Sequence, residues 1–473
     1  MASLTTGFCI FALLLPFVFA KRDLWGILSP EVMGGLGYLI FIGFAALTNY
    51  AWPGYAVNPS LFNYLPLGII AQTIAALAFF VGAMVTRHAG IGHPSHETHQ
   101  GRLTVVICLY AFFALYVSVL MPREDPEKLL KMTRAGASIS WILTTGPYII
   151  WQSLPMVVAA QIYLKQPRFL LLRYGIVAIF GFLILFFITS GSRTYAVQTV
   201  LLLFVAHTIA QRRFSRIAAQ LIIGISVLIL VLNTIWRLSG PVMPSVSPST
   251  TNFDQIVERL GTTVSESNTL GSEDITENFQ VNVVYHLSDN QTMAMIIKNY
   301  GKGELMGRAS FNSLLSGLPN QMRPVDYESA VNSIIRQFQF YKERAVDAPF
   351  WPDWQMTIGV LGFADFGLLG LLLFPFVTGV ALRWIYNRTV LTTGLGQAGW
   401  LLYIPLVQVL WTPHGLGPDS TQTLRLLIPL AIALRWTTKS PLPQSEVLPE
   451  IVPSQSKQMF HGSESGTNVN GTI

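Results

Sequence analysis

Apolar residues fall along the chain in long blocks, not in short alternating or amphipathic periods. Blocks centred on residues 5–20, 31–49, 64–86, 103–121, 138–163, 174–190, 194–210, 217–236, 356–382, 393–411 and 421–436 hold few charged side chains. Many approach the ~20 residues that carry a helix across a bilayer core. The pattern predicts an all-α polytopic membrane protein with about 11 transmembrane helices.

The connections predict an orientation. Lys21-Arg22, Lys165 to Arg173, Arg212 to Arg216, Arg383 to Arg388 and the tail from Arg435 are basic, whereas residues 51–60, the lone Arg193 and residues 413–420 separate them with little charge. Basic short loops stay in the cytoplasm, which places the amino terminus outside and the carboxyl terminus inside. The loop 122–134, with four basic residues, fits that alternation poorly. The first block ends in Val18-Phe19-Ala20 and so competes as a signal peptide. No positive charge precedes it, as a signal peptide would have, and an uncleaved span is the expectation.

One polar stretch, Arg237 to Gln355, is far longer than an ordinary connection and is expected to be a large external loop. The chain thus divides into spans one to eight (1–236), this loop (237–355), spans nine to eleven (356–436) and a disordered cytoplasmic tail (437–473). Within the loop, 239–275 reads as Ser, Thr, Pro and Gly linker. Residues 276–350 carry apolar residues on a helical period, as in Val331, Ile334, Ile335, Phe338 and Tyr341. Short amphipathic helices on the outer membrane surface are expected there, with a small soluble subdomain as the alternative.

Composition agrees with the blocks: of 473 residues 51% are hydrophobic and only 11% charged, against roughly a quarter charged in soluble domains. Mean hydropathy is +0.48. The net charge of +6 sits in basic residues flanking the blocks and suggests no nucleic-acid partner. Cys9 and Cys108 lie inside apolar blocks without disulfide or metal spacing.

Candidate chemistry is mainly arginine. Apart from Arg193, no Lys, Arg, Asp or Glu lies between Tyr174 and Gln211. Arg193 and Arg237 sit at span ends, where an ionisable group is expensive to bury and suggests function. Arg308, Arg323, Arg336 and Arg344 share the external loop, and Arg425 lies in the last block. Their planar forks suit phosphate, although any one of them also reads as a solvated surface charge. His414, in the external turn Pro413 to Ser420, is placed to act as a base or simply to form a turn. Ser192 has no neighbouring acid or His to activate it. His88, His93, His96 and His99 share a loop expected in the cytoplasm and read as a polar connector or, less simply, as metal ligands. No metal site and no cofactor is expected, since no Gly-rich nucleotide loop or paired-aspartate metal motif occurs.

The run ending in Gly191, Ser192 and Arg193, the long loop, and the return segment DWQMTIGVLGFADFGLLG (353–370) together resemble the Wzy-type polymerases of the O-antigen and exopolysaccharide pathways. The pattern covers about residues 174–436. Its specific residues are Gly191, Ser192, Arg193, Thr357, Asp365, Phe366, Gly367 and Gly370. Where the family often has an acid and a tyrosine before its Asn/Asp-Phe-Gly, this chain has Leu361 and Phe363, so no carboxylate catalyst carries over from there. The resemblance implies a metal-independent glycosyltransferase of the bacterial cytoplasmic membrane, acting at its external face on undecaprenyl-pyrophosphate-linked oligosaccharides. Arg193, Arg237 and His414 would be catalytic, and Arg308, Arg323, Arg336, Arg344 and Asp353 would bind substrate. A flippase and a chain-length regulator of the same pathway would be partners, with membrane lipids around the spans. An O-antigen ligase and a polysaccharide or lipid transporter are the alternatives.

Overall fold

Long apolar blocks become helices because a helix satisfies every interior backbone N–H and C=O within itself. The computed structural model describes residues 2–19, 28–51, 61–86, 97–120, 153–189, 193–211, 289–299, 305–316, 357–391, 398–411 and 418–439, with Pro324 and isolated positions in 217–228. Among the described residues helix is the regular structure, and the one extended pairing is an isolated bridge between Thr98 and Thr438.

In chain order the helices are α1 (Ala2–Phe19), α2 (Pro30–Tyr38), α3 (Ala45–Ala51), α4 (Leu65–Val85), α5 (Gln100–Leu120), α6 (Ser153–Tyr163), α7 (Leu170–Thr189) and α8 (Arg193–Gln211). Then follow α9 (Asp289–Asn299), α10 (Arg308–Ser316), α11 (Ile358–Tyr386), α12 (Trp400–Trp411) and α13 (Pro418–Thr437). A π segment, Leu39–Phe44, joins α2 to α3, and another, Asn387–Leu391, extends α11. Three stretches, Pro30–Thr48, Leu65–Val85 and Ile358–Leu391, are long and apolar enough to cross a membrane. Against the 11 crossings expected from the blocks, those three meet the length among the described residues. Shorter apolar helices accompany them in α1, α5, α6, α8 and α13.

The pair α4 and α11 forms the spine. Gly82 of α4 lies against the Phe376 carbonyl, and Gly379 of α11 lies against the Phe79 carbonyl and 2.9 Å, from its Cβ position, to the Ala83 nitrogen. Where lipid supplies no hydrophobic drive between helices, such small residues permit the close backbone approach that dispersion requires. α1 packs on α2 and α4, burying Cys9, Ala12 and Leu13. α8 and α2 pack on α12, and α7 on α5 and α8.

Ends that the basic-loop pattern puts on one side also contact one another. The Asn387 side chain donates to the Thr86 carbonyl at 2.9 Å. Gln100 donates to the Tyr163 carbonyl at 2.6 Å, and the Trp400 indole donates to the Tyr163 hydroxyl at 3.1 Å. Lys439 meets the Glu97 carboxylate at 2.7 Å and holds its carboxyl below the usual range, first by the hydrogen bond and then by its charge. That pair is solvent-exposed, so it contributes little, and what it contributes is lost as pH falls through the lowered Glu97 value.

Within the block expected over 356–382 the helix is broken. A straight helix from Ile358 to Leu391, 34 residues, would measure ~51 Å, well beyond a ~30 Å hydrocarbon core. α11 instead breaks at Phe366 (φ −134°, ψ 17°) and Gly367 (φ 60°, ψ −140°). The halves fold back until Gly362 and Gly370 touch, each lacking the Cβ that would strike the other's carbonyl.

Segment 289–299 of the loop, expected as a surface helix, packs into the helical bundle. As α9 it inserts against α4, with Asn290 through Ile296 buried. Gly68 admits it, since a Cβ there would lie 2.6 Å from the Asn290 carbonyl oxygen. The Asn290 amide donates to the Ile42 carbonyl at 3.0 Å, within the π segment. A π turn shifts backbone hydrogen bonding away from the α pattern, and here a side chain from the loop takes up a carbonyl in it. The expected tail, 437–473, is described only as far as Lys439, and the amphipathic stretch 330–344 lies outside the described residues.

Candidate functional site at the break in the returning helix

A second apolar core, separate from the main one, gathers Leu61, Ala71 and Ala75 with Met293, Met295 and Ile296 of α9. To these it adds Leu305 and Ala309 around the start of α10, and Val360, Leu361, Ala364 and Leu371 from both halves of α11. This core joins loop and returning helix into one packed region.

The start of α11 is fixed by Thr357. Its hydroxyl accepts from the Val360 N–H at 3.1 Å, capping the helix, and donates to Gln72 Oε1 at 3.0 Å. A threonine cap of this kind contributes about 1 kcal/mol. Gly359 then lets this half lie close on α4, where a Cβ would come within 2.7 Å of Ala75 Cβ.

At the break two helix ends complete each other. The first half of α11 ends with carbonyls that have no partner further along the helix, because the chain turns at Gly367. The Leu305 N–H donates to the Ala364 carbonyl at 3.1 Å and the Met306 N–H to the Asp365 carbonyl at 3.0 Å. In return, the Asp365 carboxylate accepts from the Ala309 N–H at 2.8 Å, from the Ser310 N–H at 2.7 Å and from the Ser310 hydroxyl. Asp365 is 0% exposed. A buried carboxylate is tolerable when hydrogen bonds and a helix N-terminus stabilise its charge.

Met306 (φ 47°) and Gly307 (φ 87°) make the turn that delivers α10 to this point. Left-handed backbone is free for glycine and costs Met306 about 1–2 kcal/mol, so the docking around it has to hold it there. The Phe366 ring closes the turn: a Cβ on Gly307 would sit 3.1 Å from it, and the ring meets Phe374 at 5.8 Å edge-to-face. Arg308, the first residue of α10, is exposed at the edge of this assembly. α10 also packs on α13, the helix that carries Arg425.

Of the residues expected to act, the structure brings Arg308 beside the Ala364-Asp365-Phe366-Gly367 segment. Arg193 is the first residue of α8, directly after α7, and its side chain lies outside the described residues. Arg237, Arg323, Arg336, Arg344, Asp353 and His414 lie outside them altogether. Leu361, where an acid is common in the resembled family, is 1% exposed in the second core. A carboxylate there would be buried among apolar side chains, so Leu361 belongs to packing.

From the sequence alone Asp365 has no evident task. Its signal was local: the only acid of the return segment after Asp353, placed immediately before Phe-Gly in an apolar run. The first turn of α9 likewise carries no sign of function in the sequence. Asn290, Gln291 and Thr292 are all buried there, and Asn290 Oδ1 and Thr292 Oγ1 have no hydrogen-bond partner among the described residues. No protein-family model, curated protein or solved structure matches the chain.

Proposed function

We propose that the chain is a multi-pass enzyme of the bacterial cytoplasmic membrane, with about 11 spans, that transfers glycosyl groups at the external face. In particular, it joins undecaprenyl-pyrophosphate-linked oligosaccharide units into O-antigen or exopolysaccharide, as the resemblance to Wzy-type polymerases implies. The observation that carries this reading is the break in α11, where Asp365 binds the first turn of α10 and sets Arg308 at the edge of the helical bundle.

The chemistry asks little of the protein. The bond between the donor sugar's anomeric carbon and the pyrophosphate breaks, a bond to the acceptor hydroxyl oxygen forms, and the hydroxyl proton leaves to a base or to water. Pyrophosphate is a good leaving group, so the protein has to neutralise its growing charge and align two sugars. Arginines supply charge-assisted hydrogen bonds for the first task. Arg308 is one such group, and Arg193, at the start of α8, is a second.

A transporter is the second reading, favoured by the broken α11 and by the polar first turn of α9 inside the bundle, because discontinuous helices line many transport sites. Analysis of lipid-linked intermediates in a deletion strain distinguishes the readings. Single repeat units on undecaprenyl pyrophosphate at the outer leaflet are expected for a polymerase. The same units confined to the inner leaflet would establish the transporter, and long polymer still on the lipid a ligase.

A substitution series at Arg193 tests the phosphate contact. Arg193→Ala is expected to lower polymer yield ten- to a hundred-fold at equal membrane abundance, since a hydrogen bond to a charged group is worth roughly 1.5–3 kcal/mol. Arg193→Lys should fall between, keeping the charge and losing the bidentate fork. Lysine equal to arginine would make Arg193 a headgroup anchor.

A further inference from the structure

We propose that Asp365 is a positioning residue: by holding the first turn of α10 it fixes Arg308 at the break in α11, on a rigid platform instead of a loose loop. The inference rests on the polymerase reading for its substrate, a lipid-linked pyrophosphate, but the docking it describes stands on geometry alone.

That geometry is reciprocal. The last carbonyls of the first half of α11 receive N–H groups from Leu305 and Met306, and the first N–H groups of α10 are received by the Asp365 side chain. Neither helix end is satisfied without the other. Asp365 is 0% exposed, so water cannot take its place cheaply at Ala309 and Ser310. A cation at a helix N-terminus is also disfavoured by the helix dipole. The Asp365 charge offsets that penalty for Arg308, which lies one residue before the two N–H groups it binds. Because Asp365 already occupies those N–H groups, the helix end itself is closed to an arriving phosphate, and Arg308 can act only from where the first turn of α10 holds it. Recognition therefore depends on where the first turn of α10 holds that side chain.

The role is tested by covalent replacement of the docking. Met306→Cys and Phe366→Cys place one thiol on the residue whose N–H donates to the Asp365 carbonyl and the other on the residue that follows Asp365. Cys9→Ala and Cys108→Ala remove the native thiols. In this background the cross-link should form on oxidation and be read by gel mobility, with no assay of polymer. Adding Asp365→Asn should lower polymer yield at least ten-fold under reducing conditions at unchanged membrane abundance. Oxidation should then restore most of the yield, and reductant should remove it again. Ser310→Ala, a milder lesion, should lower the yield two- to ten-fold should Asp365→Asn fail to accumulate.

Full yield from Asp365→Asn would overturn the proposal. So would a cross-link that forms without restoring yield, which would mean that Asp365 acts on substrate itself. Absence of the cross-link with Asp365 in place would refute the docking. Normal polysaccharide in the deletion strain would instead defeat the polymerase reading, leaving the docking to be decided by the cross-link.

Discussion

Glu31→Leu is expected to destabilise the protein by about 3–5 kcal/mol, the range for stranding one partner of a buried ion pair. Arg383 is 5% exposed and Glu31 2%. The guanidinium donates to both Glu31 oxygens at 2.7 and 2.8 Å and to Asn387 Oδ1 at 3.1 Å, and lies 5.1 Å over the Tyr386 ring. Tyr386 in turn packs edge-to-face on Tyr403 at 5.0 Å, whose hydroxyl donates to the Leu28 carbonyl at 2.8 Å. Removing Glu31 leaves a guanidinium that cannot shed its proton in an apolar setting. Removing Arg383 leaves a carboxylate that can escape by taking one up. Arg383→Leu should therefore be the milder single variant, and the double variant Glu31→Leu/Arg383→Leu milder than Glu31→Leu alone. Thermal unfolding of the purified protein in detergent measures all three. A Glu31→Leu shift within about 1 kcal/mol of the parent, the level of an exposed pair, would show that the pair is not buried in the working protein.

Gly370→Val should also destabilise the protein, for a steric reason. A Cβ at Gly370 falls on the Gly362 carbonyl, and backbone cannot rotate aside as a side chain can. Admitting the valine would require the α11 halves to separate, at about 1–3 kcal/mol or more, and separation would disturb the Asp365 contacts just beyond. Gly367→Ala should lose roughly 1–3 kcal/mol through strain at φ 60°, ψ −140°. Gly175→Ala and Gly181→Ala are the controls, since a Cβ at either meets nothing within 4 Å. As helix substitutions they should be neutral or stabilise by up to ~1 kcal/mol. The 306/366 cross-link reports the break directly: it should be lost in Gly370→Val and retained in both controls. A cross-link that survives Gly370→Val would place the turn elsewhere.

The return segment shows how motif residues acquire physical meaning. Thr357 caps α11, Asp365 binds α10, Phe366 closes the Met306-Gly307 turn, Gly367 takes the left-handed backbone and Gly370 allows the fold-back. None of these tasks is visible in the spelling Ala-Asp-Phe-Gly-Leu-Leu-Gly. Apart from the local Thr357 cap, each is defined by a partner elsewhere in the fold or by a turn the apolar run conceals.

The sequence alone determined that the chain is helical and which blocks are apolar, because block length and charge depletion are one-dimensional properties and a helix closes its hydrogen bonds locally. It also showed a long polar stretch from Arg237 to Gln355. It did not show that α9 leaves that stretch for the interior, since Asn290, Gln291 and Thr292 look polar enough for a surface and only Gly68 and the Ile42 carbonyl make room and partner for them. It read Arg383 as part of a basic loop. Glu31, with no other acid between Asp23 and Glu97, was the available sign that a charge would be needed inside, but its partner lies 352 positions away. Tertiary structure decided these points because hydrogen-bond satisfaction and charge pairing in an apolar interior are settled by whichever groups the fold brings within 3 Å, and sequence spacing places no bound on which groups those are.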